Sequence, residues 1–232
     1  MATEINSKIV KEYGHNAGAS VVGIAASQDF GLAPDGFKPS DKLEGCLSVV
    51  VLGTPFSREA LSVNLSEYTE IRNGMLKEMD SVAKEVAKQI KDKGYKVEAI
   101  GGIGGKYVNG KFYGHISLKH AAELAGLGVI GRNYLLTNSE YGNLLWFSAV
   151  LTNADLVPDK RADYTICNNC NKCVKMCPSK ALENPALFGA KECNKECWKM
   201  VNRKWELNCF LCRKVCLYRF GKIDKKTNDE TT

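Results

Sequence analysis

The chain opens on a short amphipathic period. Over residues 4–18, Ile5, Ile9, Val10 and Tyr13 fall roughly on one face, which predicts a helix. The apolar run Ser20–Ala26 (SVVGIAA) predicts a buried strand, and Leu47–Leu52 (LSVVVL), between Gly45 and Gly53, predicts a second. The stretch between them, Leu32–Glu44, is rich in Pro, Gly and Asp and reads as loop. From Ser66 to Lys93, Ile71, Met75, Met79, Val82, Val86 and Ile90 recur at three- and four-residue steps. That spacing predicts one long helix, capped by Ser66 and ended by Gly94. Tyr95–Ile100 (YKVEAI) alternates as a strand does, and Gly101–Gly105 (GGIGG) reads as loop. Ser117–Ala125 is predicted helical, with the glycine-punctuated turn Gly126–Gly131 after it, and Leu144–Leu151 (LLWFSAVL) is a strongly apolar strand. With about four core strands, the N-terminal part is α/β or α+β.

Leu156–Thr165 (LVPDKRADYT) reads as a linker to a second segment. The expected division is a domain over 1–155, another over 156–220, and a polar, aromatic-free flexible tail over 221–232. No apolar run reaches the length of a membrane-spanning helix. The first residues lack the apolar core of a secretory signal, so a cytoplasmic location is expected.

Composition changes the picture through one residue type. The 232 residues are 44% hydrophobic and 25% charged, ordinary for a globular chain, but nine of the ten cysteines lie between Cys167 and Cys216. Something besides an apolar core must hold that segment. The first group is Cys167-x2-Cys170-x2-Cys173-x3-Cys177-Pro178, the run of bacterial two-cluster ferredoxins, in which the fourth cysteine serves the other cluster. The second comprises Cys193, Cys197 and Cys209-x2-Cys212-x3-Cys216, with Leu217 where such ferredoxins place proline. The crossed ferredoxin pattern assigns Cys167, Cys170, Cys173 and Cys216 to one [4Fe–4S] cluster. It assigns Cys177, Cys209, Cys212 and Cys193 to the other, with Cys197 as the alternate for Cys193. Two other readings compete. Disulfides need an oxidising compartment. Zinc accepts C-x2-C pairs but seldom a third cysteine two residues on and a fourth before proline.

Charge follows the same division. Residues 1–155 carry 16 Lys/Arg and 17 Asp/Glu, whereas residues 156–232 carry 16 Lys/Arg and 9 Asp/Glu. A basic segment invites a nucleic-acid reading. Thiolates bound to metal add negative charge, however, and would lower this surplus to about +3.

A resemblance sharpens the reading. The pieces Ala125–Gly128 (AGLG), Ile130–Asn133 (IGRN), Glu140–Gly142 (EYG) and Leu151–Asn153 (LTN), followed by the double cysteine group, resemble epoxyqueuosine reductases and the reductive dehalogenases. Ala19–Ala25 and Leu47–Gly53 look like the first two core strands of that family, so the resemblance runs from residue 5 to about 217. It implies an α+β fold: a nitroreductase-like, cobamide-binding domain followed by a ferredoxin-like domain with two [4Fe–4S] clusters. It implies reductive chemistry at cobalt, in an oxygen-sensitive, anaerobic setting. The substrate would be a small molecule or a corrinoid protein, and the electron donor a ferredoxin or flavodoxin. The cobamide (B12-type corrinoid) would be expected along Gly126, Leu127, Gly128, Val129, Ile130, Gly131, Arg132 and Asn133, with Tyr141 and His115. Glycine in that loop would let backbone N–H groups approach a flat ring.

The chain also departs from the family. No helical repeats follow the cysteine segment, so tRNA is not the expected substrate. The family's acidic proton donor, in a D-[ST]-x-P element, is missing from Lys111–His115 (KFYGH). The dehalogenases use a tyrosine, which makes Tyr113 the candidate acid, with Tyr107, Tyr134 and His115 behind it. The histidines His15, His115 and His120 form no metal group, the D-x-H-x-x-G corrinoid signature is absent, and Cys46 reads as a buried thiol. The alternative function is a double-cluster electron carrier without cobamide, with flavin in its place.

Overall fold

The computed structural model describes residues 4–102, 105–108, 111–184 and 189–221, with residues 105–108 and 111–113 described by backbone alone. The tail beyond Gly221 and the side chains of Tyr107 and Tyr113 lie outside the described residues.

Four strands form one antiparallel sheet: β1 (Val21–Ala26), β2 (Ser48–Pro55), β3 (Val97–Ile100) and β8 (Leu145–Thr152), in the order β1-β2-β8-β3. Val50 pairs with Ile24 on one side and Val150 on the other, which fixes the register of the central strands. All four strands coincide with the apolar runs in the sequence. Because side chains alternate between faces, β2 divides its residues between two cores. Val50 and Leu52 point to helices α1 (Ser7–Asn16) and α2 (Leu65–Asp92), packing on Val10, Met79, Val86 and Ile90. Val49 and Val51 point to the other face, where Ala121, Ala122 and Ala125 of helix α3 (Leu118–Leu124) and its C-cap pack close. A β-carbon at Gly23 of β1 would overlap the Ala125 carbonyl, so this close approach depends on that glycine.

One expected cap is corrected. Helix α2 begins a residue earlier than the apolar period suggests. Asn64, not Ser66, is its N-cap, accepting the Glu67 N–H at 3.0 Å. An Asn side chain is short enough to reach that amide from an extended backbone, and Ser66 already lies inside the first turn. Gly94 ends the helix as expected, in the left-handed region at φ 92°.

Three short hairpins were not legible in the sequence: β4 (Gly105–Val108) with β5 (Lys111–Gly114), β6 (Val129–Ile130) with β7 (Leu136–Thr137), and β9 (Trp198–Val201) with β10 (Lys204–Leu207). The described residues of the cysteine segment also include three short helices, α4 (Lys172–Lys175), α5 (Ala190–Cys197) and α6 (Leu211–Lys214).

The expected linker is not a loose tether. The Asp159 carboxylate accepts the Ile24 N–H at 2.8 Å, its own N–H donates to the Ile24 carbonyl at 2.8 Å, and Lys11 pairs with it. These contacts cover the open edge of β1. The two parts also share a core: Phe56, Leu61, Tyr68 and Leu144 pack against Leu207, Trp198, Phe210 and Phe220. Tyr68 and Phe210 stack with ring centroids 4.1 Å apart. The Leu207 N–H donates to Thr69 Oγ1, and the Asn143 amide donates to the Arg213 carbonyl.

Candidate functional site

The crossing of the cysteine segment gathers its sulfurs into two groups. Cys167, Cys170, Cys173 and Cys216 line one cavity, although Cys216 is 43 residues or more from the others. Cys177, Cys193, Cys197, Cys209 and Cys212 line a second, of about 120 Å³. Turns in the left-handed region at Cys167, Asn169 and Asn171 wrap the first cysteines round their cavity. Among the described residues no three His, Cys, Asp or Glu side chains are close enough to hold a single metal ion. The sulfurs line the walls of two separate cavities.

Burial pushes the thiols of Cys173, Cys209 and Cys216 above their ordinary range. Cys212 is pushed up to about 11 by burial, opposed by the neighbouring Arg213 guanidinium. Cys193 and Cys197 stand one turn apart on α5. The Cys193 thiol donates to Cys197, which raises Cys193 and lowers Cys197. Cys46 is separate: it is buried in the α3-side core, donates to the Ser48 carbonyl, and is raised by burial. That agrees with its reading as an inert thiol.

Beside the second cysteine cavity lies an open cleft of about 360 Å³. Its walls are apolar (Ile116, Leu135, Leu136, Leu145, Phe147), with Lys119, Asn143, Trp146 and Arg213 among them. It meets a further cavity of about 490 Å³ at Gly114 and Ser117, on the side of Phe30, Leu32 and Phe37. Walls are shared throughout. Asn133 lines both cysteine cavities, and Leu135 and Lys119 line both the second cysteine cavity and the cleft. Asn133 is fixed in place: its amide donates to the Cys212 carbonyl at 3.1 Å and its oxygen accepts the Leu135 N–H at 3.2 Å. Lys119, whose ammonium donates to the Tyr134 carbonyl, is lowered in pKa chiefly by burial.

The loop expected to hold a cobamide lies outside these two open cavities. None of Gly126, Leu127, Gly128, Val129, Ile130, Gly131, Arg132, Asn133, Tyr141 or His115 lines the cleft. Gly126, at φ 72°, faces the Lys160 carbonyl, and Gly128 faces the Thr137 carbonyl. These glycines admit the chain's own backbone. Val129 and Ile130 form β6, while Leu127, Ile130 and Tyr141 pack on the α3-side core. Burial and the adjacent Glu140 carboxylate raise the Tyr141 phenol. Gly131, Arg132 and Asn133 meet the first cysteine cavity, where the Arg132 N–H donates to Cys167 Sγ at 3.4 Å. His115 is exposed and borders a separate hollow with Asp80 and Glu98. His120 hydrogen-bonds Ser117 at 2.6 Å and is lowered by burial.

The residues that line the cleft were missed because they come from distant stretches: α3, the start of β8 and α6. The one available signal was Arg213, a cation directly after Cys212 in a segment otherwise folded round sulfur.

No protein-family model matches the chain. Curated relatives do. Epoxyqueuosine reductase of Lactococcus garvieae is 33% identical over 110 residues, covering 43% of this chain and 31% of its own. That of Bacillus subtilis is 31% identical over 121 residues, 47% of this chain and 31% of its own. That of Cyclobacterium marinum is 28% identical over 209 residues, 81% of this chain and 64% of its own. The chain thus spans about a third of the length of the first two relatives. Among solved structures, an epoxyqueuosine reductase superposes with a TM-score of 0.63 at 20% identity, over 93% of this chain and 66% of its own. Another, at TM-score 0.62 and 18% identity over 93% of this chain and 65% of its own, holds an epoxyqueuosine-modified tRNA stem loop. A catabolic reductive dehalogenase superposes at 0.65 with 21% identity, over 90% of this chain and 31% of its own. The α+β fold, sheet domain and cysteine segment together, is that of these proteins. The chain is thus similar in sequence to epoxyqueuosine reductases, and its fold is similar to theirs and to that of a reductive dehalogenase.

Proposed function

We propose that this protein is a cobamide-binding iron–sulfur redox protein. Two [4Fe–4S] clusters would sit in the two cysteine cavities and deliver electrons to a cobamide in the cleft, for reduction of a small substrate or a corrinoid partner. The observation that carries this reading is the shared walls. Cavity, cavity and cleft lie in series, separated by Asn133 and then by Leu135 and Lys119. A redox group in the cleft would be one side chain from the second cluster. One of the homologous dehalogenase structures is described as suggesting a B12-dependent mechanism, which supports the choice of cofactor.

The cleft fits such a group. A flat, amide-fringed ring needs an apolar bed with a few polar partners at its rim. Ile116, Leu136 and Phe147 would supply the bed and Ser117 the polar edge. When bound, a cobamide supplies a low-potential metal for one-electron reduction. The chain's own residues hold it, exclude water through the apolar walls, and provide the cluster ligands. His120 and Ser117, hydrogen-bonded at the junction of the two open cavities, are placed to hold a proton there. Tyr113 remains the proposed acid on β5.

The first cysteine cavity faces the surface that an electron donor would use. Exposed Lys172 and half-exposed Leu217 line it, with Arg132 adding a second positive charge. That surface suits an acidic carrier such as a ferredoxin or flavodoxin.

The test is metal content after anaerobic purification from a cobamide-supplemented host. About eight iron and one cobalt per chain are expected. Iron without cobalt, even after incubation with cobamide, would leave a double-cluster electron carrier. The same assay assigns the fourth ligand of the second cluster: Cys193→Ser is expected to lower iron to about four, and Cys197→Ser to leave it near eight. The reverse pattern would transfer the ligand to Cys197.

A further inference from the structure

The cleft carries polar atoms that the fold does not satisfy. Arg213 is 6% exposed, yet its Nη1 has no hydrogen-bond partner, and no carboxylate among the described residues pairs with it. Its guanidinium lies over the rings of Phe56 and Trp146, at 5.8 and 5.6 Å from their centroids. Trp146 Nε1 and Asn143 Oδ1 are also buried without partners, and Asn143 is 1% exposed. All three residues line the same cleft, together with Lys119.

Tyr68 hydrogen-bonds the Arg213 side chain, but the buried N–H on Nη1 is left unused, at a desolvation cost. The neighbouring Cys212 feels the guanidinium's charge, yet Nη1 itself has no acceptor. We infer that the cleft is an anion site: Arg213, with Trp146 Nε1 beside it, receives a carboxylate or phosphate of the substrate, and Asn143 Oδ1 accepts a donor hydrogen next to that anion. Lys119 adds a second positive charge to the same space. The aromatic surface of Phe147 in the cleft wall suits an acid borne on a flat ring. A guanidinium fork matches either oxyanion in two-point contact.

This inference deepens the proposed function by giving the class of its substrate, and it rests on the cleft being the working site. Its test therefore avoids turnover and cobamide. The iron-loaded full chain is titrated by calorimetry with benzoate, phenyl phosphate and the neutral benzyl alcohol. Benzoate or phenyl phosphate is expected to bind at least tenfold more tightly than benzyl alcohol. Arg213→Gln should remove that preference and Arg213→Lys should restore part of it, while Lys119→Gln weakens the anions several-fold. Equal binding of benzyl alcohol and the anions by the unaltered protein overturns the inference. So does unchanged anion binding in Arg213→Gln at full iron content. If Arg213→Gln loses iron, the comparison of probes on the unaltered chain and on Lys119→Gln decides. Cobalt uptake without anion binding would sink this inference alone; anion binding without cobalt uptake would sink only the cobamide reading.

Discussion

Stripping iron from the loaded protein is expected to unfold most of residues 166–221 while the four-stranded sheet stays folded. The two parts are held by different forces. The sheet is covered on both faces by cores of fully buried Val, Leu, Ile and Met side chains. Among the described residues of the cysteine segment, the buried apolar ones are Cys173, Ala181, Leu182 and Leu207. Its described residues include six non-glycine positions in the left-handed region: Cys167, Asn169, Asn171, Lys180, Asn202 and Arg203. Each costs roughly 1 kcal/mol, least for Asn. So little apolar burial cannot offset that strain and the chain entropy, so bonds from metal to thiolate must. Amide hydrogen exchange after anaerobic chelation measures the outcome. Protection should vanish over α4, α5 and α6 and persist over β1, β2 and β8. The patch where Leu207 and Phe210 pack on Tyr68 should be the slowest part of the segment to open. Full protection of α4 to α6 without iron would show that the segment has a sufficient core of its own.

Replacing Gly142 by alanine is expected to loosen the same segment from the sheet domain, by about 2–4 kcal/mol. Gly142 sits at φ 60°, and a β-carbon there would overlap the Arg219 carbonyl and the Gly221 amide. Both obstacles are backbone, so no side chain can swing aside. The neighbouring Asn143 N–H donates to that same Arg219 carbonyl at 3.3 Å, which makes this turn the clasp on the end of the cysteine segment. Gly74→Ala is the control. Gly74 lies within α2 with open space around it, so alanine there should stabilise by about 0.5–1 kcal/mol through helix propensity. Denaturant midpoints of the two variants should therefore move in opposite directions. A Gly142→Ala protein as stable as the parent, with its iron retained, would contradict the clasp.

Much of this protein could be read along the chain. The four core strands, the long helix α2 and its end at Gly94 follow from local periodicity, because side-chain spacing alone decides which face is buried. The two cysteine groups were legible for a similar reason: their ligand spacing is local within each run. The crossing of Cys216 to the first group and of Cys177 to the second follows the ferredoxin pattern, and the structure places those sulfurs accordingly. The glycine loop shows where that kind of reasoning stops. Positive φ at Gly126 shows only that something approaches closely. The tertiary structure shows that the approaching group is the Lys160 carbonyl.

The cleft was beyond sequence alone. Arg213, Asn143, Trp146 and Lys119 belong to α6, the turn before β8, β8 itself and α3, and no spacing rule links them. Their meeting depends on how the cysteine segment folds back on the sheet through Tyr68, Phe56 and Leu207. Likewise, the order of cavities from surface to cleft depends on Asn133, Leu135 and Lys119 being walls on two sides at once. Local chemistry, then, is set by residues near each other in the sequence. The route between sites is set by long-range packing, which only the folded chain reveals.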